Sequence, residues 1–380
     1  MTRKRPMLAT RRGNVSKSSA SQTAVAAIGR STANWSKWVM SVVPWLIIGG
    51  LLWAGLFIKP APVGSTVQPP VLERRDYFYG VARPADDRIW FAGSNGKIVS
   101  IAKDGRTERL ATGTDSTLQD LATWDDQHSV AVGNDGVVIY SVDGGRTWQK
   151  SESVPRSQVA NKFTRLRLGG ADTAFAVGEM GALLQTKDAG KTWHRLRPEE
   201  DVAWNDVAIL PDDRLLVVGE FGRISVSNDG GGAWADISPP VPTSLMAVAF
   251  KDAKLGVAVG LEGVVLVTRD GGQHWERMSV DTHDHIFDIA WDERRQQWVG
   301  GGSLGRWVTG SPAAENWRTG RLDATDLSWH TRVLPTDQGT WFIGANIGQW
   351  ENTRWRPLGA GWQPEFLISL PAPVEKSKQP

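Results

Sequence analysis

The sequence predicts an all-β fold, a seven-bladed β-propeller with Asp-box turns, preceded by one transmembrane α-helix. Three observations carry that prediction. A large apolar residue is followed 15 positions later by a glycine, seven times over. Four copies of an acidic turn motif fall in register inside those repeats. A stretch of 21 uncharged residues precedes them all.

The uncharged stretch comes first in the chain. Between Lys37 and Lys59 no residue is charged, and that run makes roughly 30 Å of helix, about one bilayer core. Trp38 and Trp53 lie toward its ends, where indoles favour the headgroup level. A cleavable signal peptide would have a shorter apolar region followed by small residues at a cleavage site; here Lys59-Pro60-Ala61-Pro62 follows. Residues 1–59 hold nine basic residues and no acidic one, leaving 34 basic against 41 acidic residues in the rest. The positive-inside bias therefore expects the N-terminus in the cytoplasm and the propeller outside it, anchored to the inner (plasma) membrane by a single pass and facing the periplasm in a Gram-negative cell. The expected organisation is a disordered basic tail at 1–37, an anchor at 38–58, a linker at 59–71, a propeller at 72–370 and a disordered tail at 371–380. The acidic balance of the folded part argues against nucleic-acid binding. With no cysteine, disulfides and thiolate metal sites are excluded.

The repeats pair Phe78 with Gly93, Leu118 with Gly133, Phe163 with Gly178, Trp204 with Gly219, Leu245 with Gly260, Ile286 with Gly301 and Trp329 with Gly344. Successive glycines are 40 to 45 residues apart, the size of a four-stranded blade. Residues 204–210 read as an inner strand, 215–219 as a second, and Glu220-Phe221 as a two-residue hairpin tip before a third. The acidic turns have the pattern Ser/Thr-x-Asp-x-Gly-x-x-Trp, with Asp143 and Trp148, Asp188 and Trp193, Asp229 and Trp234, Asp270 and Trp275. The first repeat keeps only Lys103-Asp104-Gly105; the sixth ends in Asn316-Trp317 and the seventh in Arg354-Trp355. Each box carboxylate is suited to accept N–H groups across its own turn. The second glycine permits a left-handed backbone, and the Trp is expected to give each blade its own small core. These Asp residues therefore read as scaffold. For ring closure, a strand from residues 68–72 or from 365–370 is expected to join the last blade to the first.

Repeats of this kind, with Ala131-Val132-Gly133 before the tip and Asp143-Gly144-Gly145-Arg146-Thr147-Trp148 after it, resemble the photosystem II assembly and stability factors. These are Asp-box (BNR-repeat) propellers of the thylakoid lumen, with non-photosynthetic bacterial relatives. The resemblance covers roughly residues 70–358. It implies a seven-bladed propeller without catalytic activity or cofactor. It also implies a membrane-protein partner: the photosynthetic members bind newly made photosystem subunits, and the bacterial relatives often occur beside exporters of the resistance-nodulation-division type. With the anchor, that partner is expected to be an integral membrane protein or complex in the same membrane. The uncleaved anchor, the basic tail and the eroded first and last boxes depart from the photosynthetic pattern.

Asp boxes also occur in sialidases and xyloglucanases, so glycan binding or hydrolysis is the alternative. A sialidase needs an arginine cluster and a Tyr nucleophile with its Glu partner. Its Arg-Ile-Pro signature is missing here, and only Tyr77, Tyr79 and Tyr140 are available. Xyloglucanases usually pair two propellers around a cleft.

Propeller geometry puts the Asp boxes on one face and the hairpin tips, with the loops entering each inner strand, on the other. The tip face is expected to bear Asn134-Asp135, Glu179-Met180, Glu220-Phe221 and Leu261-Glu262, with Met180, Phe221 and Leu261 as apolar groups for a protein partner. Two residues after each anchor the column reads Gly80, Asp120, Arg165, Asp206, Ala247, Asp288, Thr331, polar groups that line the channel mouth or pair between blades. Arg165 and Arg167 with Lys162 form a basic cluster suited to an acidic or carboxylate group. His283, His285 and His330 are three imidazoles near one mouth, without the spacing of a standard metal site.

Overall fold

The computed structural model describes residues 33–57, 71–73, 75–84, 88–351 and 353–358, which belong to two separate units. The expected tail up to residue 32, the linker at 59–70 and the C-terminal tail at 371–380 lie outside the described residues. The first unit contains one α-helix, Ala33–Phe57. It starts ahead of the apolar stretch because Lys37 ends the uncharged run without ending the helix; lysine is a good helix former. Its segment Trp38–Phe57 is long and apolar enough to cross a membrane, and none of that segment is buried.

The second unit consists of seven four-stranded antiparallel sheets, each made of consecutive strands. They span residues 78–110, 118–150, 163–195, 204–237, 245–277, 286–321 and 330–357, here blades one to seven. In blades one to five the anchor pairs with the expected glycine, Phe78 with Gly93 through Leu245 with Gly260. Blades six and seven differ by one residue. Ile286 pairs with Gly302 and not Gly301, and His330 instead of Trp329 pairs with Gly344. Three glycines in a row, Gly300 to Gly302, hid the first slip; the larger Trp329 hid the second.

The repeated glycine answers a close approach. Gly302 is extended, with φ −161°, but a Cβ there would lie 1.9 Å from the carbonyl oxygen of His285. That oxygen accepts the Ser303 N–H at 2.9 Å. The hairpin tip itself is a type I′ turn: Phe221 (φ 58°) and Gly222 (φ 72°) are both left-handed, and Arg223 N–H closes it on Glu220 O at 3.1 Å. The central pairs are thus Asn95-Gly96, Asp135-Gly136, Met180-Gly181, Phe221-Gly222, Glu262-Gly263 and Leu304-Gly305, one step later than expected. Leu304, and not the half-buried Leu261, is the third apolar tip.

The apolar core is divided into seven clusters, and each joins two neighbouring blades. This corrects the expected role of the box Trp. Trp148 of blade two packs with Trp90 of blade one, ring centres 6.2 Å apart, and Trp234 of blade four joins Phe175, Val177 and Leu183 of blade three. The second box glycine is small for the same reason. A Cβ on Gly145 would meet the Trp90 ring at 2.6 Å, and one on Gly272 would meet Leu216 of the preceding blade at 2.3 Å. Of the strands expected to close the ring, residues 68–70 and 365–370 lie outside the described residues. Among the described residues no strand is exchanged between blades one and seven; Phe78, Phe91 and Val99 pack directly against Trp341 and Ile343, with Val71 and Leu72 at the edge of that cluster.

The box carboxylates do what their turn demands. Asp143 Oδ1 accepts Ser141 Oγ at 2.8 Å and Thr147 N–H at 2.9 Å, and Oδ2 accepts Thr147 Oγ1 at 2.6 Å. Asp188, Asp229 and Asp270 repeat the pattern. In blade six Ala314 occupies the left-handed position (φ 56°) and accepts the Trp317 indole N–H at 3.0 Å, so the turn survives without its Asp. Hydrogen bonds from Thr147 hold the Asp143 carboxyl at about 2. Burial pushes the Asp270 carboxyl up, but the His274 N–H, the His274 ring and the Thr268 hydroxyl together hold it at about 2 as well. A carboxyl depressed in the folded state adds stability that is complete above its unfolded pKa, near 4, and is lost as pH falls through the folded value. Acid unfolding is therefore expected to steepen between pH 4 and 2. Asp143→Asn with Asp270→Asn should flatten that limb, as followed by denaturant midpoint against pH; an unchanged profile would refute the assignment.

Candidate functional site

Each inner strand enters from the tip face with a bulge just after its anchor, as between Leu118 and Asp120 or Trp204 and Asp206. The bulge turns the residue two places after the anchor toward the axis and the following blade. Once blade seven is aligned on His330, that column ends in Arg332 instead of Thr331. It then reads Gly80, Asp120, Arg165, Asp206, Ala247, Asp288 and Arg332, and all seven are buried.

These charges are joined across the axis. Asp120 Oδ2 accepts the Leu166 N–H at 3.0 Å, Asp206 Oδ2 the Val248 N–H at 3.0 Å, and Asp288 Oδ2 the Val333 N–H at 2.8 Å. Each aspartate thus grips the next blade's inner strand. Arg165 of blade three reaches Asp206 of blade four at 3.4 Å and Asp288 of blade six at 2.9 Å. Arg332 of blade seven reaches Asp120 at 3.3 Å and donates to the Thr164 carbonyl at 2.7 Å. Arg167 is bidentate on Asp206, at 3.0 and 2.8 Å, and 33% exposed. Burial alone would raise the Asp206 carboxyl, but Arg165 and Arg167 outweigh it and keep it below the usual range. Burial would lower the Arg167 guanidinium; Asp206, Asp288 and Asp120 hold it above its ordinary value instead. For Arg332 burial, with Arg165 beside it, wins and the shift is downward. Three guanidiniums facing three carboxylates make a neutral, hydrogen-bonded plug, in which the charges serve one another.

The expected site residues are therefore divided. Asp120, Arg165, Asp206 and Asp288 lie inside the plug. His330 is fully buried as the anchor of blade seven, its Nε2 2.8 Å from Asn346 Oδ1 and its ring edge-on to Phe342 and Trp355. Burial pushes its imidazole below the usual range. That removes it from the side of His283 and His285, which are exposed; Asp284 between them is taken by Arg306 at 2.5 Å. Among the described residues no three His, Asp or Glu side chains converge on a metal position. Of the named residues, Met180 and Phe221 keep surface on the tip face, while Arg167 is part-exposed further along its inner strand beside the plug. Sequence reasoning missed Arg332, which an alignment of blade seven on His330 would have found.

Surface chemistry differs between the two faces. Six large apolar side chains of the propeller are exposed among the described residues, and five of them, Tyr77, Val159, Phe221, Leu304 and Leu327, lie on the tip face; Val142 is the sixth. Phe221 is 64% exposed in a left-handed conformation that bulky side chains rarely adopt. Phe221→Asn is expected to stabilise the propeller by about 0.5–1 kcal/mol, because asparagine tolerates that conformation and little burial is lost. Thermal unfolding checks it, and a lower midpoint would show that the position is unstrained.

A family model described as the photosynthesis system II assembly factor YCF48 matches residues 99–237. Among solved structures, YCF48 bound to a D1 peptide is 17% identical with a TM-score of 0.58, covering 71% of this chain and 91% of that one. YCF48 from Cyanidioschyzon merolae is 15% identical with a TM-score of 0.58, covering 72% and 94%. The chain is a seven-bladed BNR-repeat propeller similar to YCF48. At these identities the structural likeness speaks for the fold. No curated protein matches the sequence. The matched stretch, residues 99–237, begins in blade one and ends with blade four, and it includes the first three full Asp boxes.

Proposed function

We propose that this chain is a non-catalytic, protein-binding propeller, tethered through residues 33–57 to the inner membrane and facing away from the cytoplasm. In this reading it assists an integral membrane complex in that same membrane, an exporter of the resistance-nodulation-division type or a photosystem-like assembly. The observation that carries it is the gathering of exposed apolar side chains on the tip face, including one held in a strained turn. Strain at an exposed apolar residue is a cost without benefit to the fold and points to use at a surface. The YCF48 structure bound to a D1 peptide supports a polypeptide ligand for a propeller of this shape. Two observations weigh against a glycosidase. The three axial guanidiniums already face carboxylates, and Tyr140 is buried with its hydroxyl donating to Gln149 at 2.9 Å.

Affinity capture of the full chain from mildly crosslinked, detergent-solubilised membranes tests the proposal. A defined integral membrane protein should be recovered, and Leu304→Asp, at an exposed left-handed tip position, should reduce its yield. Recovery of no membrane protein, or turnover of fluorogenic glycosides by the purified chain, would overturn it.

A further inference from the structure

The register slip in blade seven has a surface effect. With His330 in the core, Trp329 moves out to the tip face as the residue before the anchor. The same position holds His285 in blade six and Tyr77 in blade one; the residue after the anchor is Phe287 in blade six and Tyr79 in blade one. Blades two to five carry Thr117, Lys162, Ala203 and Ser244 before the anchor and Gln119, Thr164, Asn205 and Met246 after it. At these two positions aromatic rings are confined to one sector of three successive blades. Tyr79 stacks on Trp329 with ring centres 5.5 Å apart and planes 18° apart, Tyr77 lies 5.7 Å from the same indole, and His285 lies 6.1 Å from Phe287.

Two aliphatic side chains extend this surface outward. Gly305 N–H donates to Ser328 O at 2.5 Å, which seats the blade-six tip on the loop entering blade seven. Leu304, 40% exposed, and Leu327, 56% exposed, flank that bond. The loop is held in shape before any partner arrives. Asp323 Oδ1 accepts the Thr325 and Asp326 N–H groups, and Asn346 ties Asp326 and Ser328 to buried His330. A preformed apolar surface loses little entropy on binding.

The border charges select the occupant. Arg306 and Arg321 are both drawn to Asp284, at 2.5 and 3.5 Å. Asp323 and Asp326, on the N-terminal side of Leu327, form no ion pair with Lys or Arg among the described residues, so the charge left over beside the patch is negative. We propose that the blade 6–7–1 sector of the tip face is a docking platform for an extended polypeptide segment with apolar side chains and a neighbouring Lys or Arg. Aromatic faces take up apolar and proline-bearing extended chains, and the carboxylates suit the basic flank. A sugar would gain from the rings but not from Leu304 and Leu327. The inference rests on the protein-binding reading above and narrows it to one sector.

The purified full chain, probed on an array of 15-residue peptides that vary in apolar content and flanking charge, tests it. Apolar peptides with Lys or Arg flanks should bind, and the same peptides with Glu flanks should bind at least tenfold more weakly. Leu327→Asp and Tyr77→Ser, both at exposed positions, should each lower the signal about tenfold, while Phe221→Asp on blade four should leave it unchanged. Trp329→Ala should abolish binding; if that variant does not fold, Leu327→Asp carries the test. Peptide binding that ignores Leu327 and Tyr77, or falls only with Phe221, would overturn the platform while leaving a protein-binding propeller. Equal binding of Glu-flanked peptides, or no binding to any peptide, would also overturn it, with membrane capture still deciding the broader reading. Binding to a glycan panel in place of peptides would overturn both.

Discussion

Arg165→Met is expected to destabilise the propeller by about 3–5 kcal/mol and to lower its thermal midpoint by roughly 10 °C. Arg165 is 1% exposed and joins carboxylates of blades four and six from blade three. Methionine fills similar space but leaves Asp288 buried with its backbone donor, Val333 N–H, and no guanidinium in ion-pair contact, only the longer-range fields of Arg167 and Arg332. Removing one member of a buried ion pair costs far more than replacing the pair as a whole. Arg165→Met combined with Asp288→Asn should therefore recover part of the loss. Asp206 keeps Arg167 in both variants, so the difference between them isolates Asp288. Denaturant unfolding measures it; a single-variant loss below about 1 kcal/mol would mean that water already reaches the plug.

Gly302→Ala should cost about 3 kcal/mol or more, and Gly301→Ala distinctly less. The added methyl at Gly302 meets a backbone oxygen at 1.9 Å, which cannot retreat without giving up its bond from Ser303. At Gly301 the nearest atoms are the Phe342 ring and a Val333 methyl, both at 2.9 Å. Side chains can shift where a hydrogen-bonded strand cannot. The opposite order of stabilities, read from unfolding midpoints of the two variants, would restore the register with Ile286 opposite Gly301.

Seven blades and their boundaries were legible because two strong constraints recur at one period: a glycine forced by backbone approach and an Asp that closes its own turn. What spacing could not resolve was a slip of one. In blade seven both Trp329 and His330 are large enough to act as anchor, and the choice depends on Asn346, a partner 16 residues away that offers the imidazole a hydrogen bond. That single ambiguity concealed Arg332 in the axis and the aromatic cluster on the surface together. The acidic column looked like a channel mouth because composition along a strand does not reveal which charges from other blades meet it. Arg165 and Asp288 lie 123 residues apart in sequence, a pairing only the closed ring creates. The Trp residues were read as belonging to single blades for a similar reason: a local motif says what its side chain is, not which neighbour receives it.

Parity has a consequence for how the ring opens. The carboxylate grips run from blade two to three, four to five and six to seven, and three couples use up six members of a ring of seven. Blade one is the odd member. Its place in the column is Gly80, where a Cβ would lie 2.6 Å from the Asp120 backbone, so it has neither a grip to give nor room for one. Its joint with blade seven is sealed by apolar packing around Phe91 and Trp341. Fraying and amide exchange should start at this joint, well before the coupled blades separate. The Tyr79–Trp329 stack bridges the same joint from above, so a segment bound there would act as a clasp, and loading the partner would tighten the whole ring by mass action.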